Sequence, residues 1–157
     1  MARRRRAVKR KTPPDPVYNS SVLAKFINNV MLHGEKQKAR TIVYHALEQF
    51  SKKVGAEDPL NAFMQALENA TPRLEVKSRR IGGATYQVPI EIAPERSASM
   101  AMRWIISFAR QKTGRNMTEG LSSELADCYQ NQGTTIKKKD DTHRMAEANK
   151  AFAHYKA

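Results

Sequence analysis

The sequence predicts a mainly α single domain of six helices, with a protruding two-stranded β-hairpin arm between helices three and four. Three observations predict this fold. Apolar residues recur at intervals of three and four along most of the chain, as on the buried face of an α-helix. One stretch, residues 73–92, instead alternates apolar and polar residues with a period of two, which is typical of strands. The length of 157 residues suits one domain with a substantial core.

The chain begins with a strongly cationic segment. Most residues of Ala2–Lys11 are Arg or Lys, and the Pro-rich residues 12–16 that follow disfavour a helix. We therefore expect residues 1–16 to be a flexible basic tail with a Pro-rich linker, and residues 17–157 to be the helical domain. Such a tail becomes ordered by wrapping a polyanion. A tail that only increases solubility is the alternative.

The first three helices are delimited by residues that cap or break helices. They are predicted to run from the Ser20–Ser21 pair to Gly34, from there to Gly55, and from Asp58 and Pro59 to Pro72. Leu60, Phe63, Met64 and Leu67 form the inward stripe of helix three. In helix two, Lys36 and Lys38 crowd the first turns, where cations oppose the helix dipole. This placement suggests that these charges serve binding, although a merely solvated basic face is the alternative.

Residues 73–92 form the predicted arm. The central segment Arg79–Gly83 contains two glycines, which supply positive φ for a turn, and two arginines, which we expect in solvent. Pro89 cannot donate a ladder hydrogen bond, so its position in the strand should face an edge. We favour an arm that projects from the body. A hairpin packed flat on the helices is the alternative.

The last three helices have a less regular apolar pattern. Helix four is predicted from about Ala98 to Lys112, helix five from the cap Asn116 to Gly133, and helix six from about Thr135 to Tyr155. We expect Trp104 and Cys128 to be core residues, rather than a stacking surface and a nucleophile. Helix six has a thin apolar side of Met145, Ala148 and Phe152. It should therefore be peripheral and partly reliant on a partner.

The charge balance of the chain indicates an anionic partner. Lys and Arg number 28 against 15 acidic residues, which leaves a net charge of +13 at pH 7. Nucleic acid or an anionic membrane surface would neutralise this excess, and the lack of a long apolar run or a lipidation signal favours nucleic acid. No secretory apolar segment follows Met1, so we expect a reducing, cytosol-like compartment.

Enzyme chemistry finds no support in the sequence. The four histidines fall on separate predicted helices without metal-ligand spacing, and there is no phosphate-binding or dinucleotide glycine fingerprint. We therefore expect no catalytic residue, no metal and no cofactor. The cations are instead distributed over several segments, including Arg110–Arg115 and Lys137–Lys139, which suits folded RNA. A nucleoid-type DNA binder is the alternative, although no helix-turn-helix is evident.

Four segments carry a resemblance to a known family. They are KFINNVMLHGEKQKARTIVYHAL from Lys25, RRIGGATYQVPIEI from Arg79, MRWI from Met102 and THRMAEANKAFAHY from Thr142. Together they look like the bacterial-type small-subunit ribosomal protein seven family, over nearly the whole chain. The resemblance implies six helices with a β-hairpin arm between the third and the fourth.

The resemblance also implies a function. Members of this family are primary binders of the 3′ major domain of 16S-type rRNA, nucleate assembly of the subunit head and lie near the exit tRNA site. Implied partners are small-subunit rRNA, nearby exit-site tRNA and mRNA, and ribosomal proteins nine and eleven. The implied location is the small ribosomal subunit in the cytoplasm, with a plastid source left open. Translational repression of the protein's own operon mRNA is a further hypothesis.

Two sets of candidate site residues follow from the cationic segments and from the resemblance. The candidate rRNA-binding residues are Arg3, Arg4, Arg5, Arg6, Lys9, Arg10, Lys11, Lys36, Lys38, Arg73, Lys77, Arg96, Arg110, Lys112 and Arg115. The candidates near exit-site tRNA and mRNA are Arg79, Arg80, Gly82, Gly83, Tyr86 and Arg144. Tyr86 is the only aromatic of the arm; one aromatic allows a base to stack there but does not form a stacking platform.

The sequence departs from the family pattern at two points. Gly34-Glu35-Lys36 stands where the family often has Gly-Lys-Lys, and Arg96-Ser97 stands where Arg-Arg commonly follows the arm. Each departure weakens one expected phosphate contact.

Overall fold

The computed structural model describes residues 10–155, which contain six α-helices, a two-stranded antiparallel sheet and a final 3-10 helix. The elements are α1 (Ser21–Val30), α2 (Lys36–Val54), α3 (Pro59–Ala70), β1 (Leu74–Ile81), β2 (Ala84–Glu91), α4 (Pro94–Gln111), α5 (Met117–Tyr129), α6 (Gly133–Ala148) and the 3-10 helix Lys150–Tyr155. The predicted fold class is confirmed, because the helices dominate and the hairpin joins the third helix to the fourth. Five of the candidate tail cations lie outside the described residues, namely Arg3, Arg4, Arg5, Arg6 and Lys9.

Four helix boundaries follow the predicted capping residues. The side chains of Ser20, Asp58 and Asn116 accept hydrogen bonds from backbone N–H groups in the first turns of α1, α3 and α5. These N–H groups have no partner within the helix, so a side-chain oxygen stabilises the helix end. Gly55 ends α2 in the left-handed conformation, with a φ of 69°.

Other boundaries differ from the prediction. Helix α4 begins at Pro94, four residues before the predicted start, because proline at the first helical position gives up no hydrogen bond. Gly133 does not end α5, which stops at Tyr129; it begins α6. A Cβ on Gly133 would lie 2.7 Å from Cβ of Asp127, so only glycine fits this tight turn. Helix α6 ends at Ala148, and the chain continues as the 3-10 helix.

The core lies among α1 to α5 and is centred on three phenylalanines. Phe26, Phe50 and Phe63 are at most 1% exposed, and the rings of Phe26 and Phe63 pack edge to face at 5.1 Å. Cys128 is fully buried, which confirms its predicted place in the core. Trp104 is only half-buried, and the apolar core cluster of the described residues does not include it, so that prediction was wrong.

Three further side chains face outward where an inward orientation was predicted. Met64 of α3 is 40% exposed, and Met145 of α6 is 51% exposed. Ala148 is also exposed, whereas α6 buries Ile136 and Ala146. The period of a short apolar pattern left the inward face of these helices ambiguous, and contact with α5 and the arm decided it. None of the helices in residues 10–155 is long and apolar enough to cross a membrane.

Helix α5 packs closely on α4 because of one glycine. Gly120 is buried, and a Cβ at this position would lie 2.6 Å from the backbone carbonyl oxygen of Ala109. Such a distance is shorter than any normal contact, so a larger residue would force the two helices apart. No local sequence pattern indicates this contact.

The arm combines both predicted alternatives. Its strands have eight residues each, and Val88 near its base is fully buried, whereas most residues from 77 to 87 are exposed. The base therefore packs on the helices, and the tip projects. Pro89 lies opposite Val76 in a non-hydrogen-bonded pair of the ladder. The backbone nitrogen at this position faces away from the partner strand, so the lack of an N–H costs no ladder hydrogen bond, as predicted.

Candidate nucleic-acid interface

The tip of the arm is a two-residue turn with an arginine on each face of the ribbon. Gly82 and Gly83 have φ values of 57° and 90°, as a tight hairpin turn requires. Arg79 and Arg80 belong to strand β1 rather than to the turn, which corrects the predicted turn of Arg79–Gly83. Because side chains alternate along a strand, the two guanidinium groups project from opposite faces. A ribbon that presents a cation on each face can contact phosphates on both sides.

Tyr86 connects the arm to the C-terminal segment. Its ring lies 5.4 Å from that of Phe152 and 5.2 Å from that of Tyr155, both in the 3-10 helix. Tyr86 is also directly opposite Arg79 in the register, so these two side chains share the face of the ribbon that meets the 3-10 helix. The ring already has two aromatic neighbours, and stacking on a base stays a prediction.

An ion-pair cluster holds the base of the arm. The carboxylate of Glu75, which is 7% exposed, accepts hydrogen bonds from Arg96 Nε at 3.1 Å and Nη2 at 2.9 Å. Lys77 Nζ lies 3.7 Å from the same carboxylate. The hydrogen bonds from Arg96 hold the pKa of Glu75 below its usual range, against the opposing effect of burial. Arg96 thus positions the arm, while half of its side chain stays exposed to solvent.

Ser97 explains one departure from the family pattern. It is 4% exposed, and its hydroxyl donates a hydrogen bond to the backbone carbonyl of Pro72. This bond ties the first turn of α4 to the chain just before β1. An arginine with the same backbone position would have to bury its charge or leave the site, so serine suits the local packing.

Arg73 lies where the arm meets α6. Its backbone N–H donates a hydrogen bond to Nε2 of His143 at 2.9 Å, and its side chain is exposed. Burial lowers the pKa of His143, and the charge of Lys139 lowers it further. The imidazole is therefore kept neutral, as its acceptor role requires. Lys139 donates to the carbonyl of Asn69 at 2.8 Å and lies in the same polar recess as Arg73.

Three candidate cations come together where the start of α2, the end of α4 and the loop before α5 meet. Lys38 is 74% exposed at its side chain and lies 2.9 Å from the carboxylate of Glu35. Arg110 of α4 and Arg115 of the loop between α4 and α5 are exposed, and Arg110 Nη2 donates to the carbonyl of Val30 at 3.2 Å. Lys38, Arg110 and Arg115 line one groove. Lys36, in the first turn of α2, is half-buried.

Lys112 differs from the other candidate cations because its ammonium group is enclosed. It lies 2.9 Å from Glu124 Oε2 and 3.1 Å from Asp127 Oδ2, and it donates to Ser123 at 3.0 Å. Burial lowers the pKa of Lys112, but the hydrogen bonds to Glu124 and Asp127 outweigh it and raise that pKa above its ordinary value. These contacts join α4 to α5. An rRNA contact of Lys112 stays a prediction.

A buried carboxylate fixes the point where the tail leaves the body. Asp15 is 3% exposed, and it accepts hydrogen bonds from the backbone of Val17 and Tyr18 and, at 2.7 Å, from the hydroxyl of Tyr44. Burial and this bond raise the pKa of Tyr44 to about 12. From the sequence, Asp15 was expected only as part of the Pro-rich linker. Its position between two prolines was the available signal, because an acidic residue there suits a turn.

The remaining described candidates lie on exposed surfaces. Arg10 and Lys11 line a recess of about 560 Å³ together with Lys25 of α1 and Glu95 of α4. Arg144 is exposed on α6, with Nη1 3.4 Å from Asp141 Oδ1. Within residues 10–155, no group of three or more His, Cys, Asp or Glu side chains is arranged to hold a metal ion. The arrangement is thus a set of separate cationic surfaces around an apolar core.

Comparisons with a family model and with individual known proteins all match this chain to one family. Residues 2–150 match the family model for ribosomal protein S7p/S5e. The small ribosomal subunit protein uS7 of Protochlamydia amoebophila (strain UWE25) is 70% identical over 156 residues, which cover 99% of both chains. The proteins of the same name from Chlamydia trachomatis serovar L2 and Chlamydia abortus are each 64% identical over 156 residues, again with 99% of both chains covered.

Proposed function

We propose that this chain, which belongs to the ribosomal protein S7p/S5e family, is a primary binder of the 3′ major domain of 16S-type rRNA. In this role it nucleates assembly of the subunit head. The protein is a cytoplasmic constituent of the small ribosomal subunit. Family membership makes rRNA and other ribosomal proteins its partners and RNA binding its activity, and the family is structural rather than enzymatic.

The distribution of cations carries this proposal. Exposed cations occupy the arm tip, the arm base, the groove between α2 and α4, and the recess beside Arg10 and Lys11. A single straight duplex contacts one face of a protein, whereas a junction of several RNA helices contacts many. The surfaces described here therefore suit a folded RNA domain. Residues 1–16 act as a tail that wraps this RNA, and residues 17–157 form the binding domain.

The mechanism is electrostatic docking on a preformed scaffold. The Glu75–Arg96 pair, the Tyr86 ring cluster and the Asp15 hydrogen bonds hold the arm and the end of the linker before RNA arrives. Because these groups are already ordered, less conformational entropy is lost on binding. Neutralised phosphates release counterions, which supplies the salt-dependent part of the affinity.

The arm tip and α6 suit a second contact, with tRNA and mRNA at the exit site. Arg79, Arg80 and the two glycines of the turn are exposed at the projecting end. Among residues 10–155, no atom beyond the adjoining residues lies within 4 Å of a Cβ built on either glycine. Backbone and guanidinium groups there are accessible to a nucleic-acid backbone. Arg144 adds a cation on α6, and ribosomal proteins nine and eleven are the proposed protein neighbours.

The same surfaces support repression of the protein's own operon mRNA. A messenger segment that imitates the rRNA junction would bind through the same cations, so the two RNAs would compete for one site. Binding of both RNAs without competition would contradict this part of the proposal.

A salt titration tests the main proposal. We expect tight binding to a transcript of the 3′ major domain, maintained in the presence of duplex DNA of equal length. With six or more phosphate contacts, affinity should fall by roughly a thousandfold between 50 and 200 mM salt. Equal loss of binding to the DNA competitor would instead indicate a general polycation of the nucleoid type. A small salt dependence would exclude phosphate neutralisation as the mechanism.

A further inference from the structure

The arm is long for a ribbon of only two strands. Each strand has eight residues, which span about 26 Å at roughly 3.3 Å per residue. A two-stranded ribbon by itself is only marginally stable in water, so it needs support from other elements. The pair of Glu75 with Arg96 and the buried side chain of Val88 support the base. The cations of the projecting half keep a fixed position only if that half has a support of its own.

The C-terminal 3-10 helix lies against the second strand of the arm. Helix α6 ends where the side chain of Asn149 donates to the carbonyl of Met145 at 2.8 Å. The backbone N–H of Phe152 then donates to the carbonyl of Asn149 at 3.0 Å, which begins the tighter helix. This segment, Lys150–Tyr155, contacts β2 and α6. Its residues are half-buried or exposed within residues 10–155, so it packs on the arm rather than in the core.

Two rings of the 3-10 helix meet one ring of the arm. A 3-10 helix has three residues per turn, so side chains three positions apart are aligned on one face. Phe152 and Tyr155 have this spacing, and their ring centroids lie 5.4 and 5.2 Å from that of Tyr86. Tyr86 is directly opposite Arg79, close to the turn. The ring cluster therefore contacts the arm near its tip, away from the ion pair at its base.

We propose that Phe152 and Tyr155 are positioning residues for the arm, which hold Tyr86 and thereby fix the tip cations Arg79 and Arg80. Aromatic rings at these separations attract each other beyond the effect of their burial. A tip that is already held in place loses less conformational entropy when a nucleic acid binds. The support of the arm is a property of the free protein, and only its consequence for RNA rests on the proposed function.

Hydrogen exchange of the free protein tests the support without RNA. The unaltered chain is compared with Phe152→Ala and with Phe152→Tyr, which keeps the ring. Met145→Ala is the matched control, because it removes an exposed apolar side chain from α6. Arg79 and Tyr86 form a hydrogen-bonded pair, as the alternation of pairs along the ladder requires. Their amide protons therefore report opening of the arm near its tip.

The expected result is local to the tip. Phe152→Ala should make these two amides exchange roughly fivefold faster. The amides of Glu75 and Ile90, which pair at the base, should exchange as in the unaltered protein. Unchanged exchange at the tip would overturn the proposal, and so would equal acceleration at base and tip, which would indicate a general loss of stability. The same acceleration in Phe152→Tyr or Met145→Ala would also overturn it, because loss of this ring would then not be the cause.

Binding to a transcript of the 3′ major domain tests the consequence for RNA. The variants are Phe152→Ala, the tip pair Arg79→Ala with Arg80→Ala, and all three substitutions combined. The rings act on RNA only through the tip in this proposal. Phe152→Ala should therefore weaken binding roughly threefold in the unaltered chain and leave it unchanged once the tip pair is absent.

The outcomes separate this proposal from the proposed function. An equal loss of affinity with and without the tip pair would overturn the positioning role, since Phe152 would then contact the RNA itself. An unaltered protein that does not prefer this transcript over duplex DNA would refute the proposed function. The hydrogen exchange of the free protein would still decide whether the rings hold the arm.

Discussion

Replacement of Lys112 by methionine tests whether this cation stabilises the body or binds RNA. The lysine is paired with Glu124, which is fully buried, at 2.9 Å. Removal of one partner of a buried ion pair costs about 3–5 kcal/mol, because the other charge stays buried without compensation. Thr135 still donates its N–H and its hydroxyl to Glu124 Oε1, at 3.2 and 2.7 Å. We therefore expect a loss of about 3 kcal/mol, at the lower end of that range.

The loss is measured by denaturant unfolding followed by circular dichroism at pH 7. For a domain of this size, about 3 kcal/mol lowers the Tm by roughly 6–12 °C. The double variant Lys112→Met with Glu124→Gln removes the uncompensated charge and should recover most of the lost stability. Lys137→Met is the matched control, because Lys137 is an exposed lysine of α6, and it should change stability by no more than about 0.5 kcal/mol.

One result would refute this reasoning. If Lys112→Met lowered the free energy of unfolding by less than about 1 kcal/mol, the ion pair with Glu124 would not stabilise the body. A salt dependence of RNA binding that became shallower in the same variant would show that the ammonium group contacts a phosphate. Lys112 would then belong with the exposed rRNA-binding candidates.

Three further predictions concern other parts of the fold. The pKa of Tyr44 is raised to about 12 from 10.0, so the stability that the neutral phenol contributes is complete below pH 10 and is lost as the pH rises towards 12. Tyr44→Phe should therefore flatten the dependence of Tm on pH between these values. A variant with the same pH profile as the unaltered protein would contradict this prediction. Gly120→Ala should cost about 2–3 kcal/mol in calorimetry, because the new Cβ would meet the carbonyl of Ala109, and an unchanged Tm would show that α4 and α5 separate freely. Arg79→Ala with Arg80→Ala should change stability by no more than about 0.5 kcal/mol while it weakens RNA binding, and loss of the fold would show that the tip packs as core.

Features that depend on neighbouring residues could be predicted from the sequence. The caps at Ser20, Asp58 and Asn116 and the stop at Gly55 depend on hydrogen bonds and backbone angles within a few residues. The arm followed from its period of two and from the paired glycines for the same reason. The start of α4 at Pro94 was missed because the apolar pattern begins only after its first turn.

Contacts between distant segments could not be predicted. Glu75 and Arg96 are 21 positions apart, and Asp15 and Tyr44 are 29 apart, so no local pattern joins them. The same limit affected helix orientation, since the sequence placed Met145 inward and the packing of α6 placed it in solvent. Which of the 28 cations are exposed and which are already paired is thus a property of the assembled fold.

The sequence alone determined the helical fold class, the arm, the cationic character and, through its motifs, the family. These depend on periodicity, composition and order along the chain, which are local or additive properties. The tertiary structure decided that the base of the arm packs while its tip projects, that Lys112 is enclosed by carboxylates, and that Lys38, Arg110 and Arg115 surround one apolar groove. The physical reason is that burial and ion pairing depend on which distant surfaces meet, and only the packing of the helices brings those surfaces together.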